Sequence, residues 1–312
     1  MLNRPAPLGP DSRIGLIAPA SLPADHTRIA RGIDRMRREG WHIEQRRDFT
    51  DARGYLAGSD EDRSNELNHF LRRTDIDALI CIRGGYGCMR ILPHLDYEAA
   101  RAHPKLLVGY SDITALHLAF LAKSGWSGVS GPMVAVDWPD LDSGSRKQFL
   151  ELAGGGAGPL LGPAGEDLSP ARRGTVEGRI IGGNLSMVVR LLGTPYLPDM
   201  SGAILVVEDV GEEPYRIDAY FTQLRLAGVL QQLGGIVLAG FTECGFPAGK
   251  RSLTLDEVFE DNVMSLDIPV ATGLLYGHFP VKSAVPIGVR ARLSVTEDTA
   301  RLDLLESVVR PA

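Results

Sequence analysis

The chain has 312 residues, well beyond the ~150 of an average domain, so two modest domains or one large α/β unit are expected. With 33 Lys plus Arg against 39 Asp plus Glu the formal charge is -6, and the basic residues form no long stripe, which disfavours a nucleic-acid partner. Three cysteines (Cys81, Cys88, Cys244) without a CxxC pair exclude a disulfide scaffold or a cysteine-rich zinc site. They fit a reducing compartment. The sequence MLNRPAPLGPDSR has no apolar signal-like core, and no later run approaches the ~18 apolar residues of a membrane span, so a cytoplasmic protein is expected.

From Arg13 short apolar runs alternate with amphipathic stretches, the pattern of βα units around a mostly parallel sheet. RIGLIAPAS predicts a strand, and residues 25–39 a helix with Ile29, Ile33 and Met36 on one face and Gly40 at its stop. WHIEQR is a second strand. SDEDRSNELNHFLRR is a helix opened by a capping box of Ser59 and Asp62, followed by the strand IDALICIR. After a glycine-rich turn, a short helix through Met89 and Leu92 leads to the strand KLLVGY and the helix DITALHLAFLAKSG; WSGVSGP closes the first half. Residues 137–173 lose periodicity and gain Gly, Pro and Ser, which marks a linker between domains at 1–136 and 174–312. Beyond it come the strand into GRIIGG, a helix from about Asn184, the strand AILVVED, a long helix over 215–232, the strand GGIVLAGF and a helix near 254–265. The strand-rich end predicts a mixed-sheet α+β domain.

The most informative stretch is Leu106 to Thr114, LLVGYSDIT, where an apolar strand passes into a helix with Ser111 at the junction. A serine on such a sharp turn projects its hydroxyl above the strand ends, and the N–H of Asp112 points from the helix N-terminus toward the same space. Ile113 replaces the second glycine of GxSxG, and a simple helix-capping role for Ser111 is an equally local reading. The turn Arg83-Gly84-Gly85-Tyr86-Gly87 follows another strand and presents backbone N–H groups either to an oxyanion or as a plain tight turn; it lacks the lysine of a phosphate loop. Of seven histidines, His278 stands apart because it ends the strand TGLLYG, where α/β folds gather functional groups. His117 lies six residues past Ser111 on one helix, about 600° round, and faces away. Glu208 and Asp209 end the strand AILVV; two successive acids there cannot face the same way, and a buried one needs a partner such as histidine. Glu208 is the candidate. No HExxH occurs, and Asp137, Asp140 and Asp142 read as turn residues rather than calcium ligands, so no metal or cofactor is expected.

These motifs, from IGLIAPAS through RGGYG, GYSDIT, GPM, GGNL, VVEDVGEEPYRID and GHFP to PIGVRARL, resemble the serine LD-carboxypeptidases, or muramoyltetrapeptide carboxypeptidases, whose relatives include microcin self-immunity peptidases. The resemblance spans nearly the whole chain. It implies a triad of Ser111, Glu208 and His278, an oxyanion hole from the N–H groups of Gly85 and Asp112, and acyl transfer that releases D-alanine from cytosolic murein tetrapeptides. A substrate's terminal carboxylate needs a cationic pocket, for which Arg83 and Arg216 are candidates, with Tyr86 as a further substrate contact. The resemblance also suggests a homodimer. The combined expectation is an α/β protein with a flavodoxin-like N-terminal domain and a C-terminal mixed-sheet domain, acting on a small peptide. Two other readings stand beside it: cleavage of an aminoacyl-nucleotide amide, for which Trp126 and Trp138 are candidate stacking groups, and a non-catalytic two-domain peptide-binding protein.

Overall fold

A computed structural model describes residues 2–246 and 249–311. In the first half the strands are β1 (Arg13–Ile17), β2 (His42–Gln45), β3 (Ala78–Cys81), β4 (Leu106–Val108) and β5 (Gly128–Ser130), with helices α1 (Thr27–Arg37), α2 (Asp60–Arg72), α3 (Cys88–Ile91), α4 (Tyr97–Ala102) and α5 (Thr114–Ser124) between them. Helix α1 buries Ile29, Ile33 and Met36 on one stripe. Helix α2 opens on the capping box: the Asp62 N–H donates to Ser59 Oγ at 3.0 Å and the Ser59 N–H to the Asp62 carboxylate at 2.9 Å. Helix α5 is apolar nearly all round, and the reason is its place: it packs on β5 on one side and on the second half of the chain on the other.

The stretch over 137–173, expected as a linker, carries helix α6 (Ser143–Ala153), β6 (Gly158–Pro159) and β7 (Ser169–Arg172). Asp142 caps α6, accepting from the N–H groups of Gly144 and Ser145 at 2.9 Å, and Trp138 and Phe149 are buried beside each other. There follow β8 (Gly174–Asn184), α7 (Leu185–Arg190), β9 (Ile204–Val210), α8 (Pro214–Leu226), β10 (Gly235–Thr242), α9 (Leu255–Phe259), β11 (Val270–Thr272), β12 (Val285–Ile287), β13 (Arg290–Val295) and β14 (Ala300–Leu304). Helix α8 is shorter than the 215–232 read from periodicity, because the chain turns at Gly228 into a separate 3-10 turn over Leu230–Gln232.

The first sheet has the order β12-β5-β4-β3-β1-β2, with the five first-half strands parallel and β12 antiparallel on the β5 edge. Its parallel core, 2-1-3-4-5, is the flavodoxin-like order. The second sheet, β6-β14-β13-β8-β9-β10-β11-β7, is parallel in its centre and antiparallel at both flanks. Thus the second half lends β12 to the first sheet and the stretch before it lends β6 and β7 to the second. The halves are tied by shared hydrogen bonding.

Candidate active site

Three chain segments converge where the two sheets meet. The first is the turn after β4. Tyr110 is extended, Ser111 holds φ at 64°, and residues 111–113 form a 3-10 turn into α5. A left-handed serine costs about 1 kcal/mol or more and persists only where its surroundings enforce it. The turn is entered without a side-chain cap, so the capping reading of Ser111 falls away. Below it, buried His117 donates from Nε2 to the Gly109 carbonyl at 2.8 Å; burial pushes this imidazole down to about 4, so it is neutral and fastens the strand end.

The second segment is the turn after β3. A side chain added at Gly84 would stand 3.0 Å from Ser111 Cβ and 3.3 Å from its Oγ, which puts this turn against the serine. The turn is held from several sides. Ser21 accepts from the Tyr86 N–H at 3.3 Å and donates its own N–H to the Gly84 carbonyl at 3.2 Å, while buried Arg63 donates to the Gly87 carbonyl at 2.9 Å. The Asp112 carboxylate, raised by burial, accepts from the Cys88 N–H at 2.8 Å and so links this turn to the serine turn. Arg83 donates to the Leu22 carbonyl at 2.9 Å, and Tyr86 is exposed, edge-on to exposed Tyr55.

The third segment is formed by the end of β9 and the loop after β11. Glu208 is fully buried, and its Oε2 accepts from His278 Nδ1 at 2.8 Å. A carboxylate at Nδ1 holds the proton there and leaves Nε2 with its lone pair outward. Gly277 is what allows the approach: a Cβ there would sit 2.9 Å from Glu208 Oε2, and its φ is 132°. Glu208 Oε1 is buried without a hydrogen-bond partner among the described residues. Asp209 turns the other way, accepting from Asn184 Nδ2 and the Ser186 N–H at 2.9 Å each; burial raises it to about 6. The two adjacent acids thus take different partners.

Two contacts join these segments. Asn184, paired with Glu208 across β8 and β9, donates its N–H to Thr114 Oγ1 at 3.0 Å, in the first turn of α5. The His278 ring meets the Tyr110 ring edge-on, with centres 5.2 Å apart. Ser111 follows Tyr110 directly, so the imidazole, the buried acid, the serine and the glycine turn form one cluster. Arg216 lies apart from them in its interactions: it is exposed on the first turn of α8 and engages the Tyr215 hydroxyl at 3.1 Å and Glu212 at 3.6 Å. Trp126 and Trp138 are buried core residues, which removes both as stacking surfaces. Sequence reasoning missed Ser21, Tyr110, Asp137 and Lys282, all of which touch this cluster or its neighbours. Only the nearness of Tyr110 and Lys282 to Ser111 and His278 in the chain hinted at them. Among the described residues no group of three or more His, Cys, Asp or Glu is arranged to hold a metal ion, and no helix is long and apolar enough to cross a membrane.

The fold defines a class: an α/β protein of two sheets whose halves meet at a serine-bearing strand-to-helix turn. Residues 14–131 match the LD-carboxypeptidase N-terminal domain and residues 177–293 the LD-carboxypeptidase C-terminal domain. The chain belongs to the LD-carboxypeptidase family of serine peptidases and is an enzyme of that family. It is 35% identical over 305 residues to the probable murein peptide carboxypeptidase of Bacillus subtilis, covering 96% of this chain and 94% of that one. The crystal structure of muramoyltetrapeptide carboxypeptidase from Oxalobacter formigenes superposes with a TM-score of 0.84 at 31% identity, over 94% of this chain and 98% of that one. The microcin C7 self-immunity protein MccF of Escherichia coli is 28% identical over 332 residues, 96% of this chain and 95% of that one.

Proposed function

We propose that this enzyme hydrolyses the LD-peptide bond before the terminal D-alanine of murein tetrapeptides, through an acyl-enzyme on Ser111. The observation that carries the proposal is the His278–Glu208 hydrogen bond of 2.8 Å, buried at Glu208 and packed on Tyr110 beside the strained serine. His278 Nε2 takes the Ser111 proton as Oγ attacks the scissile carbonyl, and Glu208 stabilises the imidazolium. The N–H groups of Gly85 and Asp112 receive the oxyanion, since both lie on the turns that flank Ser111. The imidazolium then protonates the departing D-alanine amine, and water, deprotonated by the same imidazole, releases the acyl group. Arg83 is the nearer choice for the terminal carboxylate because it starts the glycine turn; Arg216 would first have to leave Glu212. Tyr86 stands exposed on that turn as a substrate contact.

The substrate assignment is supported by the names of the carboxypeptidase relatives. Cytoplasmic action on recycled wall peptides and a homodimer belong to the same proposal. A second reading, cleavage of an aminoacyl-nucleotide amide, draws on the likeness to MccF, and one observation favours it: the exposed Tyr55–Tyr86 pair offers an aromatic surface beside the glycine turn. Incubation with LD-linked tetrapeptide, its DD-linked isomer and an aminoacyl-nucleotide amide, with products identified by mass, separates the readings. D-alanine from the LD-linked peptide alone is expected. Cleavage of the nucleotide conjugate alone would overturn the assignment.

A further inference from the structure

Lys282 follows His278 by four residues and is buried. Its Nζ lies 2.8 Å from Asp137 Oδ1, donates to the Tyr110 hydroxyl at 2.7 Å and stands 4.0 Å over the centre of the Tyr110 ring. Asp137 in turn accepts from the Met133 N–H at 2.8 Å through its other oxygen. Asp137 and Tyr110 are buried as well. One ammonium group therefore joins three segments: the loop of His278, the serine turn, and the loop after β5.

A buried ion pair is a poor source of net stability, because desolvating both charges offsets most of their attraction, and apolar replacements are often neutral. What such a pair supplies is fixed geometry. Here the ring that Lys282 holds is the one against which the His278 imidazole packs, and the residue after that ring is Ser111. The same loop is pinned elsewhere by the hydrogen bond of 2.6 Å between the Tyr276 hydroxyl and Ser130 Oγ and by the Lys282 N–H donating to Ser145 Oγ at 3.0 Å. These hold the loop to β5 and to α6. Among the described residues, the Lys282 side chain is the one that bonds the Tyr110 hydroxyl from this loop, and so holds the loop, the ring beneath His278 and the serine turn together.

We propose that Lys282 is a positioning residue which, with Asp137 and Tyr110, sets the His278 imidazole relative to Ser111. This rests on Ser111 being the nucleophile and His278 its base. Proton transfer needs a donor–acceptor distance of about 3 Å, so a ring left free to tilt weakens the chemical step without touching substrate.

The test is the rate at which a fluorophosphonate labels Ser111, followed by intact mass. In that reaction Oγ bonds to phosphorus, fluoride leaves and His278 takes the proton. Lys282→Met combined with Asp137→Asn removes both charges, so that no unpaired carboxylate stays buried, and Tyr110→Phe removes the hydroxyl but keeps the ring. The double variant should label about tenfold or more slowly at saturating probe, with a half-saturating concentration within about twofold of the parent, and Tyr110→Phe about threefold more slowly. Parent-like labelling by the folded double variant would overturn the proposal, as would a slowing confined to the half-saturating concentration. If the double variant does not fold, Tyr110→Phe decides: a parent-like rate overturns the proposal. An unlabelled parent would instead reject Ser111 as nucleophile, an outcome distinct from either.

Discussion

At Ser111 the backbone sits at φ 64°, a conformation that costs a Cβ-bearing residue and not glycine. Ser111→Gly should therefore be more stable than Ser111→Ala by about 1 kcal/mol in urea unfolding, although both remove the proposed nucleophile. Equal stability would mean the turn is relaxed. His117 gives a residue-scale prediction of another kind. Unfolded, its imidazole titrates near 6.5; folded, burial holds it down to about 4. Between those values the unfolded chain binds more protons, so this group's contribution is complete above pH 6.5 and is lost as pH falls toward 4, on the order of 3 kcal/mol in all. His117→Gln keeps a donor for the Gly109 carbonyl but cannot titrate, so its stability should fall less than the parent's between pH 7 and pH 4.5. A parallel loss in both proteins would contradict the assignment.

At the scale of elements, the first turn of α5 and the end of β8 meet through the Asn184 N–H and Thr114 Oγ1. Thr114→Val preserves shape but strands a buried N–H, which should cost about 1–3 kcal/mol and lower turnover by loosening the serine turn against Glu208. A thermal melt and a rate at saturating substrate check the two effects separately. Most elements were legible in the sequence where local signals agree, as in Ser59 and Asp62 opening α2 or the apolar run of β3 ending at the glycine turn. The end of α8 and the destination of β12 were not. Val285–Ile287 reads as a strand anywhere, and only its pairing with β5 puts it in the first sheet. Strand ends also singled out Ser111, Glu208 and His278, because apolar runs reveal where a sheet stops. Asp137 read as a turn residue because its partner Lys282 belongs to the far end of the chain; the Tyr110–Lys282 contact spans 172 residues. No local pattern encodes such a contact.

For the whole molecule, Ser111 belongs to one half and Glu208 and His278 to the other, so the proposed site depends on how the halves dock. That docking is covalently simple but physically dense: β12 on β5, α5 between the halves, and polar links through Thr114, Tyr110 and Ser130. The most direct test of a serine acyl-transfer enzyme built across this junction is release of D-alanine from LD-linked murein tetrapeptide by the parent and by folded Ser111→Ala. Turnover by the parent and its loss by at least about a thousandfold in Ser111→Ala are predicted. Undiminished release from the alanine variant would contradict the mechanism.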